Sequence, residues 1–304
     1  MEKFLIFVLV GLAAQAVDGS LGMAYGVTSN SLLVATGVSV AVASASVHFA
    51  EVGTTLVSGF SHWRFGNVDW RVVGLLAVPG GVGAFLGATV LSTISTEAAV
   101  PWVAGLLIVL GVYIIARFVF RQPKVPGAGS RPGPWLLGPL GLVGGFIDST
   151  GGGGWGPVTT PTLISSGTLD PRKVIGSVST SEFVVAVSAS IGFLVGLSDE
   201  AIDWRIVGGL LAGGVVAAPF AAYLVRHLSL PVLGAMVGSL ILVTNYRTLI
   251  RSQDVESLPA YIPVVLVAVA VLVIALRRTG GKVIAGGAEA AEDVVDDVDP
   301  APVR

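Results

Sequence analysis

The sequence predicts an all-α polytopic membrane protein with two homologous repeats and about 8 or 9 transmembrane segments. Two observations predict this class. Of the 304 residues, 53% are hydrophobic and only 12% are charged, with a mean hydropathy of +0.86, whereas soluble domains carry about 25% charged residues. In addition, one sequence pattern recurs in the two halves of the chain. A chain so poor in charge cannot cover a water-exposed surface, so we expect a lipid bilayer around it.

Composition also excludes several kinds of site. The chain contains no cysteine, which excludes disulfides, thiolate metal sites and cysteine nucleophiles. Its basic residues are scattered at predicted helix ends, so nothing indicates a nucleic-acid-binding surface. There is no Walker motif, and therefore no sign of a nucleotide-driven motor. No cofactor is expected.

Seven stretches are apolar over the roughly 17 to 25 residues that a membrane-spanning helix needs. They are residues 40–60, 72–94, 101–118, 174–197, 206–226, 230–247 and 259–276. Two further stretches, 4–36 and 135–166, are too long for one span and are interrupted by glycine clusters at 19–26 and 151–156. Each is predicted to be a broken helix or a re-entrant pair of half-helices.

The repeat is visible by eye. Residues 11–37 align with 141–167 at a constant offset, and after one residue of slippage Ser46-Val47-His48-Phe49-Ala50-Glu51 aligns with Ser177-Val178-Ser179-Thr180-Ser181-Glu182. Further on, Asp69-Trp70-Arg71 returns as Asp203-Trp204-Arg205. These identities between residues other than glycine make a chance match improbable.

The repeat divides the chain into five regions. Repeat 1 covers residues 1–120 and repeat 2 covers 135–251, and a linker at 121–134 joins them. An extra C-terminal transmembrane helix is predicted over 252–278. The acidic tail at 279–304 is predicted to be disordered, because it combines dense negative charge with few large apolar groups.

Basic residues in the linker favour a cytoplasmic position for it, by the positive-inside rule. If the stretch 135–166 is re-entrant and returns to its own side, each half makes an odd number of crossings. The two halves would then be inverted repeats, which place substrate sites near the midplane between broken helices. Parallel repeats are the alternative.

Several motifs resemble the sulfite exporter TauE/SafE family. They are the glycine-rich break with its half-helix (GGGGWGPVTTPTLISSG, 151–167), the small-residue helix with its serines, and the loop FGNVDWR followed by GLLAVPGGVGAFLGA. The resemblance covers nearly the whole chain up to about Arg251. It implies movement of small sulfur-containing anions, such as sulfite or sulfonates, across the cytoplasmic membrane. Met23-Ala24-Tyr25 in place of a glycine run, and His48 with Glu51 and Glu182, place the chain in a divergent branch.

The breaks are the predicted anion site. A half-helix that begins inside the membrane presents unpaired N–H groups and the positive end of its dipole, which attract anions without a basic side chain. The candidate substrate-binding residues are Gly22, Tyr25, Gly26, Thr28, Ser29, Asn30, Gly152, Gly153, Trp155, Gly156, Thr159 and Thr160. The alternative for the glycines is close helix packing.

Four carboxylates lie at matching places in the repeats: Asp18 with Asp148, and Glu51 with Glu182. Ionisable groups in a bilayer are expensive and mark transport routes. Burial disfavours the charged form of a carboxylate, so the glutamates are candidates to carry coupled protons, with His48 one turn from Glu51 as a partner. For the aspartates the alternative is capping of the breaks, and for the glutamates it is a neutral side chain held for packing.

Three functional classes follow. The favoured one is a secondary transporter of small inorganic or organic anions, proton-linked and working by alternating access. The second is a cation or metal-ion transporter that uses the carboxylates, although no metal site is expected because Ser179 replaces His48 in the second repeat. The third is an intramembrane enzyme with His48, Glu51 and Asp18, which the duplication disfavours. The direction of transport and the oligomeric state do not follow from the sequence.

Overall fold

The computed structural model describes residues 2–21, 23–120, 132–166, 168–197, 202–224, 229–255 and 257–280. These residues form eleven α-helices and no strand. The helices are α1 (Glu2–Leu21), α2 (Tyr25–Ala35), α3 (Val40–Arg64), α4 (Trp70–Thr93), α5 (Thr96–Ile115), α6 (Pro134–Gly151), α7 (Trp155–Ser165), α8 (Pro171–Gly196), α9 (Trp204–Leu224), α10 (Leu230–Arg251) and α11 (Leu258–Arg278), and a π-helical turn, Ala116–Phe120, continues α5.

Six of the described helices are long and apolar enough to cross a membrane: α3, α4, α5 with its π-helical turn, α8, α10 and α11. The described apolar part of α9, Trp204–Ala217, is shorter. The predicted all-α class with several membrane-spanning helices is therefore confirmed. The count of about 8 or 9 segments stays a prediction.

The repeated Asp-Trp-Arg tripeptide begins a helix in each half. Asp69 Oδ1 accepts a hydrogen bond from the Arg71 N–H at 3.1 Å, and Asp203 Oδ1 accepts one from the Arg205 N–H at 2.9 Å. Each aspartate thus satisfies an N–H group that has no partner within the helix.

Both long apolar stretches are divided where their glycine clusters lie. In the second, α6 ends at Gly152, whose φ of 66° is left-handed, and Gly153 follows with a φ of 140°. Glycine adopts both conformations without steric cost. In the first, Ala24 takes a φ of 125°, a region that residues with a side chain rarely adopt. The second break is thus built from glycine, while the first contains a strained alanine.

Small residues bring the helices into backbone contact. The main pairs are α4 with α6, α1 with α9, α4 with α8, α3 with α8 and α5 with α10. A Cβ on Gly141 would lie 2.6 Å from the Leu76 carbonyl oxygen, and one on Gly11 would overlap the Leu210 carbonyl. For these two glycines the structure supports the packing interpretation.

The matched helices α3 and α8 run antiparallel. Ser58 Oγ lies 2.8 Å from Ser179 Oγ, whereas His48, nearer the start of α3, meets Phe193 near the end of α8 at 5.9 Å between ring centroids. The pair α5 and α10 is also antiparallel: Gly238 packs near Gly111 and Ile115, and the earlier Gly234 packs against the later Phe118.

Some predicted regions lie outside the described residues. These are linker residues 121–131, tail residues 281–304 and the candidate site residue Gly22.

Candidate functional site

A cavity of about 250 Å³ lies where the two breaks meet. All four paired carboxylates, Asp18, Glu51, Asp148 and Glu182, line it. They come from α1, α3, α6 and α8, so helices of both halves form the wall. No lysine or arginine is among the described residues that line this cavity.

The two breaks touch each other through their backbones. A Cβ on Gly26 would lie 2.5 Å from the Gly153 Cα and 2.8 Å from Glu51 Oε1. The Asn30 side-chain amide donates to the Gly151 carbonyl at 2.6 Å. Only glycine allows the half-helices α2 and α7 to begin this close together.

Asp148 makes polar contacts through both carboxyl oxygens. Its Oδ1 accepts hydrogen bonds from the N–H groups of Gly154, at 2.7 Å, and Trp155, at 2.9 Å. Its Oδ2 lies 3.1 Å from His48 Nε2, and both side chains are buried. Asp148 therefore caps the N-terminus of α7 and joins it to α3 of the first half.

The contacts of His48 indicate which of its ring nitrogens carries a hydrogen. Its Nδ1 lies 2.8 Å from the Ser44 carbonyl oxygen, which can only accept, so Nδ1 carries a hydrogen. Nε2 then faces Asp148 Oδ2 at 3.1 Å, so a proton can be held between the two side chains.

Asp18 caps the first break more weakly. Its Oδ1 accepts from the Tyr25 N–H at 3.2 Å, and the Tyr25 hydroxyl donates to the Leu210 carbonyl, also at 3.2 Å. Both aspartates thus do what the capping alternative proposed. The first-turn N–H groups of Gly26 and Gly156 have no intrahelical acceptor, and both residues line the cavity.

Glu51 and Glu182 lie near the middle of α3 and α8. Glu51 is 4% exposed, and its Oε2 has no hydrogen-bond partner among the described residues. A buried polar atom without a partner is costly, so this oxygen is suited to binding a proton or a ligand from the cavity. Glu182 is partly exposed.

Three groups in the site could hold a cation. Ligand atoms of His48, Glu51 and Asp148 all lie within 4.8 Å of one another, and all three residues are buried. In the sequence, the repeat aligns His48 only with Ser179 and so does not indicate this grouping. Asp148 comes from the other half and lies 100 residues away.

Five of the predicted binding residues line the cavity: Tyr25, Gly26, Gly153, Gly156 and Thr160. Six described ones do not: Thr28, Ser29, Asn30, Gly152, Trp155 and Thr159. The indole of Trp155 is fully buried and donates to the Val178 carbonyl at 3.1 Å, so only its backbone N–H acts in the break. The Thr159 hydroxyl donates back to the Trp155 carbonyl at 2.5 Å.

The predicted site omitted four polar residues that line the cavity: Gln15, Ser58, His62 and Ser179. Ser58 and His62 extend the polar face of α3 beyond Glu51 at helical spacing, so following that face to the helix end would have found both. Gln15 lies one turn before Asp18 on α1, where the surrounding residues are apolar.

Comparison with known proteins identifies relatives over most of the chain. A family model described as sulfite exporter TauE/SafE matches residues 7–248. The probable membrane transporter protein YtnM of Bacillus subtilis (strain 168) is 51% identical over 252 residues, which is 83% of this chain and 84% of the relative. No solved structure matches significantly.

Two more distant relatives come from the same organism. The probable membrane transporter protein YdhB is 25% identical over 169 residues, covering 55% of this chain and 69% of the relative. The probable membrane transporter protein YjnA is 23% identical over 255 residues, covering 79% and 97%.

Proposed function

The chain belongs to the sulfite exporter TauE/SafE family of membrane transporters, and on that premise we propose that it moves small sulfur-containing anions, such as sulfite or a sulfonate, across the cytoplasmic membrane. Transport is proton-linked and uses alternating access. One observation carries the proposal: the cavity at the meeting point of the two breaks combines half-helix N-termini with four carboxylates.

The packing supports an inverted repeat. Gly11 lies against Leu210 and its counterpart Gly141 lies against Leu76, so each half packs its first helix onto the other half in the same way. The antiparallel arrangement of α3 with α8, and of α5 with α10, is what a two-fold axis in the membrane plane produces. Such an axis makes the two routes to a central site, one from each side of the membrane, structurally equivalent.

The direction of the half-helices supports re-entrant stretches. Helix α6 runs parallel to α4, with Gly141 against Leu76 and Gly145 against Gly80, so α6 begins at the end of the bundle where α4 begins. Helix α8 begins there too, because Gly176 packs against Asn67 in the loop before α4. The chain from α6 through α7 therefore returns to its own side.

The anion would bind at the half-helix starts. Gly26 and Gly156 offer first-turn N–H groups beside the cavity, at the positive ends of two helix dipoles. Thr160 and Gln15 add side-chain donors. Gly153 and Gly154 let a ligand approach the backbone closely.

Proton binding by the carboxylates would reduce the negative charge that an anion meets in the cavity. Two like unit charges 4 Å apart repel by about 4 kcal/mol at an effective dielectric constant of about 20, so an anion cannot pass four ionised carboxylates. The facing His48 and Asp148 side chains offer one place for a proton, and Glu51 Oε2, which has no hydrogen-bond partner among the described residues, offers another. Protonation of Glu51 and Glu182 as the anion enters would link the two fluxes.

One observation favours a second function, transport of a cation. It is the close grouping of His48, Glu51 and Asp148, whose ligand atoms suit a divalent metal as well as a proton. An intramembrane enzyme has less support, since the family and the relatives described above are transporters.

Flux in proteoliposomes with an imposed pH gradient tests the proposal. We expect sulfite uptake that follows the proton gradient and falls to background when a protonophore collapses it. Divalent cation flux without sulfite flux would instead support the second function. Liposomes that contain protein inactivated by detergent and heat provide the background.

A further inference from the structure

Along α3 and α8, the cavity extends from the breaks toward one end of the bundle only. Beyond Glu51 and Glu182, its lining residues are Ser58 and His62 from the last part of α3, and Ile175, Val178 and Ser179 from the first part of α8. Because α3 and α8 are antiparallel, these segments lie at the same end. The first part of α3 and the last part of α8 contribute no described lining residue.

At the opposite end two rings close the space between α3 and α8. His48 and Phe193 lie 5.9 Å apart between ring centroids, tilted by 48°, and both are fully buried. Hydrogen bonds to Ser44 and Asp148 hold the imidazole in place. Behind Phe193, Gly192 packs closely against Phe85 and Ala88 of α4, so α8 cannot move away without α4.

The repeat relates this closed pair to the open end. The offset that aligns Glu51 with Glu182 also aligns His48 with Ser179 and His62 with Phe193. The pair His48–Phe193 therefore corresponds to the pair Ser179–His62. Both members of the second pair line the cavity, whereas neither member of the first does.

Resting on the proposed alternating access, we infer that His48 with Phe193 is the closed gate of this transporter and that Ser179 with His62 is the equivalent gate, here open. An inverted repeat reaches its second state by exchanging the conformations of its halves. In that state Ser179 and His62 pack together, and Phe193 leaves His48. Phe193 is thus a gating residue that reaches the anion site through His48.

Basic residues assign the open end to the cytoplasm. The described lysines and arginines at that end are Arg64, Arg71, Arg117, Arg172, Lys173, Arg277 and Arg278. Those at the closed end are Lys3, Arg205, Arg247 and Arg251. The positive-inside rule places the richer end inside the cell, so the structure is open to the cytoplasm and closed to the outside.

The natural absence of cysteine makes the test direct. Ser58→Cys places a thiol in the open part of the cavity, and Ala189→Cys, its counterpart in the repeat, is the matched control behind the closed gate. A membrane-impermeant maleimide is applied to intact cells and to inside-out vesicles. We expect Ser58→Cys to react only from the cytoplasmic face and Ala189→Cys to react from neither.

Removing the ring should open the closed end. With Phe193→Ala added, Ala189→Cys should become labelled from outside, whereas Ala189→Cys alone stays unlabelled. Phe193→Leu serves as a second variant if the alanine protein does not fold. If neither substitution exposes residue 189, Phe193 is not a gate. If both thiols react equally, or Ser58→Cys reacts only from outside, the assignment of the open end is wrong.

Labelling needs no substrate, so it separates this inference from the proposed function. If the protein labels as expected but does not move sulfite, the gates are supported and the proposed substrate is wrong. If it moves sulfite but labels equally at both positions, the substrate is supported and the gates are wrong.

Discussion

The two breaks occupy the same position in the repeat but hold their aspartates very differently. Asp148 accepts two backbone N–H groups and faces His48, whereas Asp18 accepts one N–H from Tyr25 at a longer distance. A duplicated position therefore need not keep a duplicated role. Among the described residues, the second break therefore holds its carboxylate by more and shorter hydrogen bonds than the first.

The difference has two local causes. The second break contains Gly152, Gly153 and Gly154, which let two successive N–H groups turn toward one carboxylate, while the first has Ala24 in a strained conformation. Across the cavity, Ser179 in the second half replaces His48, so Asp18 has no imidazole at the equivalent place.

The largest expected effect comes from removing the carboxylate of each break in turn. Asp148→Ala leaves two buried N–H groups and His48 without their partner, which should cost about 3–5 kcal/mol of stability. Asp18→Ala loses a single bond and should cost about 1 kcal/mol. Thermal unfolding of both variants in detergent measures the difference. Equal losses would mean that the two breaks are held alike.

Adding a methyl group at the start of each half-helix should disturb the first break more than the second, the reverse of the order expected for the aspartates. In Gly26→Ala the Cβ would lie 2.5 Å from the Gly153 Cα, whereas in Gly156→Ala it would lie 3.0 Å from the Met23 Cβ. We expect Gly26→Ala to abolish anion flux and Gly156→Ala to weaken it several-fold, because a 3.0 Å contact needs a shift of a few tenths of an ångström whereas a 2.5 Å contact forces the two backbones apart. Flux is compared at matched amounts of membrane-inserted protein, and a fully active Gly26→Ala would contradict the close contact.

Glu51 and Glu182 occupy matched positions in the two halves, and substituting each one tests whether both carry protons. Glu51→Gln and Glu182→Gln keep shape and hydrogen bonding but cannot exchange a proton, so each should flatten the pH dependence of flux while anion binding persists. The effect should be larger for Glu51, which is buried and has an unpartnered oxygen, than for the more exposed Glu182.

Flux and binding are measured separately between acid and neutral pH. If both variants keep the original pH dependence, coupling does not reside on these two residues. Asp18 and Asp148 would then be tested by the same pair of measurements.

The smallest effect is expected outside both repeats. A chain that ends at Ala285 lacks the acidic tail, which has few apolar groups to pack against the bundle. It should insert and transport like the full-length protein. Lost flux with normal membrane insertion would assign the tail a regulatory role.

Local features of the site could be predicted from the sequence, and contacts between the halves could not. Glycine clusters indicated both breaks, because few other residues adopt the left-handed conformation at Gly152. The partnership of His48 with Asp148 joins residues 100 positions apart and depends on how the repeats pack. The burial of Trp155 has the same origin, since the ring packs against Gly80 of the first half.

The exchange of first helices between the halves constrains the order of events during synthesis. Gly11 finds its partner Leu210 only after about 200 more residues have been made, which takes roughly 10–40 s at 5–20 residues per second. Until then α1 presents its glycine face to lipid or to the insertion machinery. The early chain is therefore an incomplete bundle until α9 is made. Slowing the ribosome between the repeats should lengthen the exposure of this intermediate to membrane proteases.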